Sequence, residues 1–238
     1  MNANQTSVGV TNGVGVPHIT LNELSKYVWA GDRQRRSIVN RQKRQNTKAI
    51  THYRKSEPII QLGFACGFEG TAFDGRLWEL TDGWDPMPSQ LNKKLDNIAA
   101  VNHARDCLSL FPLCEASFEP VSLSQPAAMI ISGVRVSVRP EVIIRGSSGA
   151  VNVKTGAIKF YMSKNCRMKD TEMAVGAALL HRYMSERFGE TNVSSERCYM
   201  LDVFAGAVRI ADASAQMLMP QIEAACADIA KRWIAVAA

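Results

Sequence analysis

Two stretches of the chain have residue types and spacing that can do chemistry. Pro140-Glu141 heads the apolar run Val142-Ile143-Ile144, and Lys159 sits inside a second run, Ala157 to Met162. Strands hold side chains rigidly and turn alternate residues to one face, so an acid and a lysine there can meet at a common edge. Taken alone, Glu141 reads as a strand-end carboxylate paired with Arg139 or Arg145, and Lys159 as a solvent-facing strand residue. The second stretch is cationic. Between Asp32 and Lys55 lie Arg33, Arg35, Arg36, Arg41, Lys43, Arg44, Lys48, Arg54 and Lys55, opposed by Asp32 alone. The whole chain carries a net charge of only +6, so the basic character is local. Such a face meets phosphate or an acidic partner. Arg33, Arg36, Asn40, Lys43 and Arg44 fall near one side of a helix, and His52 and Tyr53 can add stacking. A solvated helix face, or one that docks an acidic protein, is the plainer alternative.

Other familiar chemistries find no residues here. His18, His52, His103 and His181 are scattered, and His181 borders an apolar helix face. No two of the six cysteines have the spacing of a zinc knuckle, which leaves reduced packing thiols as the expectation. Asp74 and Asp85 lie near Trp78 and Trp84 without a metal-loop pattern. Ser147-Ser148 is not a nucleophile elbow, and there is no phosphate loop or dinucleotide fingerprint. No window approaches a membrane span, and Met1 to Pro17 lacks the features of a signal peptide. The expectation is a cytoplasmic protein with no membrane partner.

The elements that must position these residues follow from periodicity. Residues 1–17 read as a flexible tail. Thr20 and Glu23 match a capping box, and Leu21, Leu24, Tyr27 and Val28 predict a helix over 21–30. The basic stretch predicts one or two helices with a thin apolar stripe of Ile38, Val39, Ala49, Ile50 and Tyr53. Ile59, Ile60, Leu62 and Phe64 extend it to Gly67. Residues 67–89 read as a turn-rich loop, and Ser89 caps a helix running to Phe111-Pro112. Strands are expected at 128–131, at 134–138 by strict alternation, and at 142–144. A hairpin-like pair is expected around Thr155-Gly156. A helix follows from Thr171, with Met173, Ala177, Leu180, Met184 and Phe188 on one face. A strand over 197–203, its continuation at 208–210 and a helix starting near Pro220 complete the chain. The fold class is α+β: a helical N-terminal half, a strand meander, a helix, a strand and a C-terminal helix. A boundary between Pro112 and Pro126 would separate a helical basic region, 18–112, from an α/β core, 113–238. One continuous domain is the alternative.

The segments "GVRVSVRPEVIIRG", "GAIKFYMSK" and "CYMLDVFAG" resemble the core of the PD-(D/E)xK nuclease superfamily. The resemblance covers residues 127–210, or begins at Ser89 if that helix is the first of the core. It implies a restriction-endonuclease-like order of helix, three strands, helix and strand. It implies that Glu141 matches the first metal-binding acid and Lys159 the lysine that positions water and offsets transition-state charge. The second acid belongs two residues before Lys159, where this chain has Ala157. Glu115, Glu119, Asp170, Glu172 and Asp202 are the acids that can have replaced it, and Asp202, on the later strand, is paired with Glu141 as the expected Mg²⁺ set. The function expected is a nucleic-acid-binding protein on a degenerate nuclease-like fold, a non-catalytic recognition or structural subunit in bacterial or phage nucleic-acid processing or defence. It would act with DNA or RNA and with other protein subunits. An active Mg²⁺-dependent nuclease with a relocated acid, and a protein–protein adaptor using its cationic helix, are the alternatives.

Overall fold

A computed structural model describes residues 15–44, 52–111, 116–121, 128–146, 154–212 and 214–235. The Thr20 hydroxyl accepts from the Glu23 N–H (3.3 Å), as the capping pattern predicts, and α1 runs Leu21–Trp29 with Leu21, Leu24, Tyr27 and Val28 buried. Just before it, His18–Thr20 forms β1, a strand the sequence pattern did not reveal. The chain is anchored at Gly15, whose carbonyl accepts from Trp233 Nε1 (2.8 Å), so residues 15–17 are not free as the tail reading expects; residues 1–14 lie outside the described residues. The cationic helix α2, Asp32–Arg44, buries only Ile38, Val39 and Gln42. After it, α3 (Ser56–Cys66) ends at Gly67, whose φ of 73° is left-handed, the conformation glycine adopts without strain.

Residues 71–81 correct the sequence reading. They form a helix, α4 (Thr71–Thr81), rather than a loop. Phe73, Leu77 and Leu80 recur at helical spacing, and Gly75 lies on the exposed side. A short 3₁₀ turn, Pro88–Gln90, leads into α5, Leu91–Asp106.

Two sheets follow. Ala116–Pro120 (β2), Val142–Gly146 (β5), Thr155–Tyr161 (β6), Val193–Asp202 (β7) and Ala207–Ile210 (β8) make a five-stranded sheet in the order β2-β5-β6-β7-β8. β6 and β7 are parallel, joined by α6 (Asp170–Phe188), and the other pairs are antiparallel. Ala128–Ile131 (β3) and Val134–Ser137 (β4) form a hairpin that pairs with β1 in a separate three-stranded sheet. Thr155-Gly156 is not a turn but the first residues of β6. The shift in β6–β7 pairing there brings the Arg197 carbonyl to 2.1 Å from where a Cβ on Gly156 would lie, so only glycine fits. The last helix, α7 (Ala215–Ala235), begins before Pro220 and carries it inside.

The large sheet lies between two helical layers, each sealed by its own apolar cluster. Ile158, Phe160, Tyr199 and Leu201 turn one way, to Ile60, Phe64, Phe73 and Val101 of α3, α4 and α5. Ala157, Tyr161, Cys198 and Met200 turn the other way, to α1, α6, α7 and the small sheet. The helices of residues 18–112 are thus divided between the two faces. This alternation fixes which strand residues can meet, because a one-residue slip would send each apolar set to the wrong layer. The α+β expectation is met. No described helix is long and apolar enough to cross a membrane.

Candidate functional site

The register brings Glu141, the residue before β5, alongside Lys159 of β6. Val142 pairs with Ile158 and Ile143 with Ala157, and the Glu141 N–H donates to the Ile158 carbonyl (3.0 Å). Both side chains turn to the same face of the sheet, the one covered by α1 and α6, and they join in an ion pair between Lys159 Nζ and Glu141 Oε1. Glu141 is 5% exposed and Lys159 9%, so Glu141 is closed onto Lys159 rather than paired with Arg139 or Arg145, and Lys159 does not face solvent.

Both carboxylate oxygens have a protein partner, and the ammonium has two. Glu141 Oε2 accepts from the Phe160 N–H (2.6 Å), and Lys159 Nζ also donates to the Arg139 carbonyl (3.0 Å). Arg139 holds a left-handed φ of 37°, a conformation that costs an arginine free energy and aims its carbonyl at the ammonium. Its guanidinium pairs with Glu57 of α3 (3.6 Å). Burial pushes the Glu141 carboxyl up to about 7, against the pull of the Lys159 charge, and the nearby Glu57 adds to the rise.

Asp202 ends β7 on the same face, beside Tyr161 and two residues beyond Met200, which pairs with Lys159. It is fully buried, and both oxygens are taken by backbone donors. Met168 N–H donates to Oδ2 (2.9 Å) and Ala205 N–H to Oδ1 (3.1 Å). Asp202 therefore pins the β6–α6 loop and the turn after β7. The other acids are also engaged. Glu119 pairs with Arg145 (2.7 Å), Glu172 accepts from the Lys169 N–H (3.1 Å), and Asp170 lies 3.7 Å from Arg209. Glu115 lies outside the described residues.

The donor set does not fit the Mg²⁺ that the resemblance implies. Mg²⁺ needs open carboxylate oxygens and room for several waters, and the oxygens of Glu141 and Asp202 face N–H and N–H₃⁺ donors at contact distance. Among the described residues no group of three His, Cys, Asp or Glu side chains is placed to hold a metal. Ala157, where the missing acid belongs, is fully buried in the apolar layer.

Residues that sequence reasoning missed lie at the end of β6, against the residues that follow Lys159 in sequence. Asn22 of α1 donates through Nδ2 to the Phe160 carbonyl (3.2 Å), while its Oδ1 is buried with no partner. Lys26, one turn on, donates to the Tyr161 hydroxyl (2.7 Å) and lies 4.4 Å from the centre of that ring. Their helical spacing on α1 was visible, but nothing in the sequence said that α1 crosses the end of β6.

The cationic helix is arranged differently. Arg33, Arg36, Ser37, Asn40, Arg41 and Arg44, with Asp32, line an open trough of about 590 Å³ along α2. Arg33 and Arg44 are exposed, and no carboxylate among the described residues pairs with either. Arg36 pairs with Asp32 (2.9 Å) and Arg41 with Glu23. Two of the residues read as phosphate contacts turn inward instead. Arg35 donates to the Val28 carbonyl (3.0 Å), sits 3.6 Å from Asp228 and covers the Tyr27 ring. Lys43 lies over the Trp233 ring at 5.4 Å and donates to that residue's carbonyl. Lys48 lies outside the described residues.

No protein-family model matches the chain, and no curated protein matches it. The site must be read from its own geometry.

Proposed function

We propose that this protein binds nucleic acid through the exposed face of α2, as a non-catalytic recognition or structural subunit on a degenerate nuclease-like fold. The observation that carries the reading is the stripe Arg33, Arg36, Arg41 and Arg44 along an open trough. Guanidinium groups at helical spacing can neutralise successive phosphates and release their counterions without reading sequence. The order α5, β2, β5, β6, α6, β7 within the large sheet supports the nuclease likeness, with the β3–β4 hairpin inserted. Closure of the Glu141–Lys159 pair supports the non-catalytic half. A nuclease needs its carboxylates open to metal and phosphate, and here they serve the fold. Bacterial or phage nucleic-acid processing or defence is the setting the likeness suggests.

The test is fluorescence anisotropy with labelled DNA and RNA across a salt series. Affinity should fall steeply as salt rises. The triple variant Arg33→Glu, Arg36→Glu, Arg44→Glu should bind roughly ten- to a hundredfold more weakly and show a shallower salt slope. No binding by the wild type at low salt would leave the cationic face to an acidic protein partner.

A further inference from the structure

Four aromatic rings form a continuous row near the carboxyl ends of the parallel strands. His52 and Tyr53 lie in the turn before α3, Phe204 in the turn after β7, and His103 on α5. Their centroids follow one another at 4.9 Å (His52–Tyr53), 5.4 Å (Tyr53–Phe204) and 5.3 Å (Phe204–His103). The row is fixed from below, because Tyr53 and Phe204 are half-buried against the α3–α5 core. It is open at its ends, because His52 and His103 are exposed. Neighbouring rings meet at 76°, 49° and 54°, so none is stacked flat on the next.

The surroundings are cationic and braced. Asp96 holds His52 (2.9 Å) and Lys164 (3.0 Å) together, and Lys164, which draws the Asp96 carboxyl below its usual range, stays 58% exposed. Arg54 and Lys55 follow Tyr53 directly, both exposed, with Lys55 4.4 Å over the Trp84 ring. Rigid rings beside flexible cations are what an unpaired strand requires: a surface for the base faces and charge for the backbone. A duplex cannot use the rings, since its base faces are already stacked inside.

We propose that the row His52, Tyr53, Phe204, His103 is a stacking platform for single-stranded nucleic acid. It rests on the nucleic-acid reading of α2 and adds to it a preference for unpaired strands. Sequence reading reached only His52 and Tyr53, because Phe204 and His103 join them through the fold.

The experiment compares a thymidine oligonucleotide of about a dozen residues with a duplex of similar length by anisotropy at fixed salt. The double variant His52→Ala, His103→Ala should weaken single-strand binding about tenfold or more and leave duplex binding and the salt slope unchanged. Phe204→Leu keeps the apolar bulk beneath the row and removes one ring, and it should reproduce part of that loss. Equal loss on both substrates, or unchanged single-strand affinity in both variants, overturns the platform while the α2 reading stands. Absence of any binding by the wild type overturns both.

Discussion

The β5–β6 strand pair and the α2 helix are both built from charge, and they use it in opposite ways. On the strands, Glu141 and Lys159 satisfy each other and two backbone groups and are nearly buried. On the helix, Arg33 and Arg44 reach into solvent, Arg36 and Arg41 hold carboxylates at the surface, and Arg35 and Lys43 turn toward the core. A buried charge without its counter-charge is costly, whereas an exposed one is almost free until a polyanion arrives. The strand pair should therefore answer to stability measurements and the helix to binding measurements.

The largest effect should come from breaking the strand pair on one side. Glu141→Leu leaves the Lys159 ammonium with only the Arg139 carbonyl and leaves the Phe160 N–H with no acceptor. That should cost about 3–5 kcal/mol in urea unfolding. Adding Lys159→Met removes the stranded charge and should restore a large part of the loss. A single variant within ~0.5 kcal/mol of the wild type would mean that the pair contributes nothing to the fold, and would reopen a chemical role for it.

A pH series sharpens the same contrast with a somewhat smaller effect. The Glu141 carboxyl is pushed from its ordinary 4.5 up to about 7 by burial. Between those values the folded protein keeps a proton that the unfolded chain has released, so stability falls as pH rises through that window. The contribution of this one group is present in full below the lower value and lost above the upper. Subtracting the stability curve of Glu141→Gln from that of the wild type should isolate this fall, because the amide does not titrate. Parallel curves for the two proteins between pH 4 and 8 would show that Glu141 is not perturbed.

The sequence exposed these two regions unequally. Alternating Val134, Val136 and Val138 gave β4, and the apolar stripe of α6 was visible from Met173 to Met184. Glu141 and Lys159 could be paired because period-two patterning fixes which face each strand residue occupies. Burial of the pair was not visible, since it depends on contacts between residues far apart in sequence. The same limit hid α4, where Asp74 and Gly75 inside it, and Gly70 and Asp82 at its ends, masked a helical spacing that only packing against α3 and α5 makes decisive. On α2 the charge run was plain, but the division into outward and inward cations depends on Asp228 and Trp233 of α7, some two hundred residues away.

The smallest expected effect is the stability change of the α2 charge-reversal variant. Arg33→Glu, Arg36→Glu and Arg44→Glu together remove one exposed ion pair, Arg36–Asp32, and place a carboxylate in the last helical turn, where the helix dipole opposes it. Arg33→Glu partly offsets this by adding a negative charge to the first turn. The net change should stay within ~0.5–1 kcal/mol in urea unfolding, with the denaturant slope unchanged. A loss of several kcal/mol would mean that these arginines hold the fold as Glu141 and Lys159 do. The weaker binding of the same variant would then report unfolding, and the distinction between an inward-facing and an outward-facing set of charges would collapse.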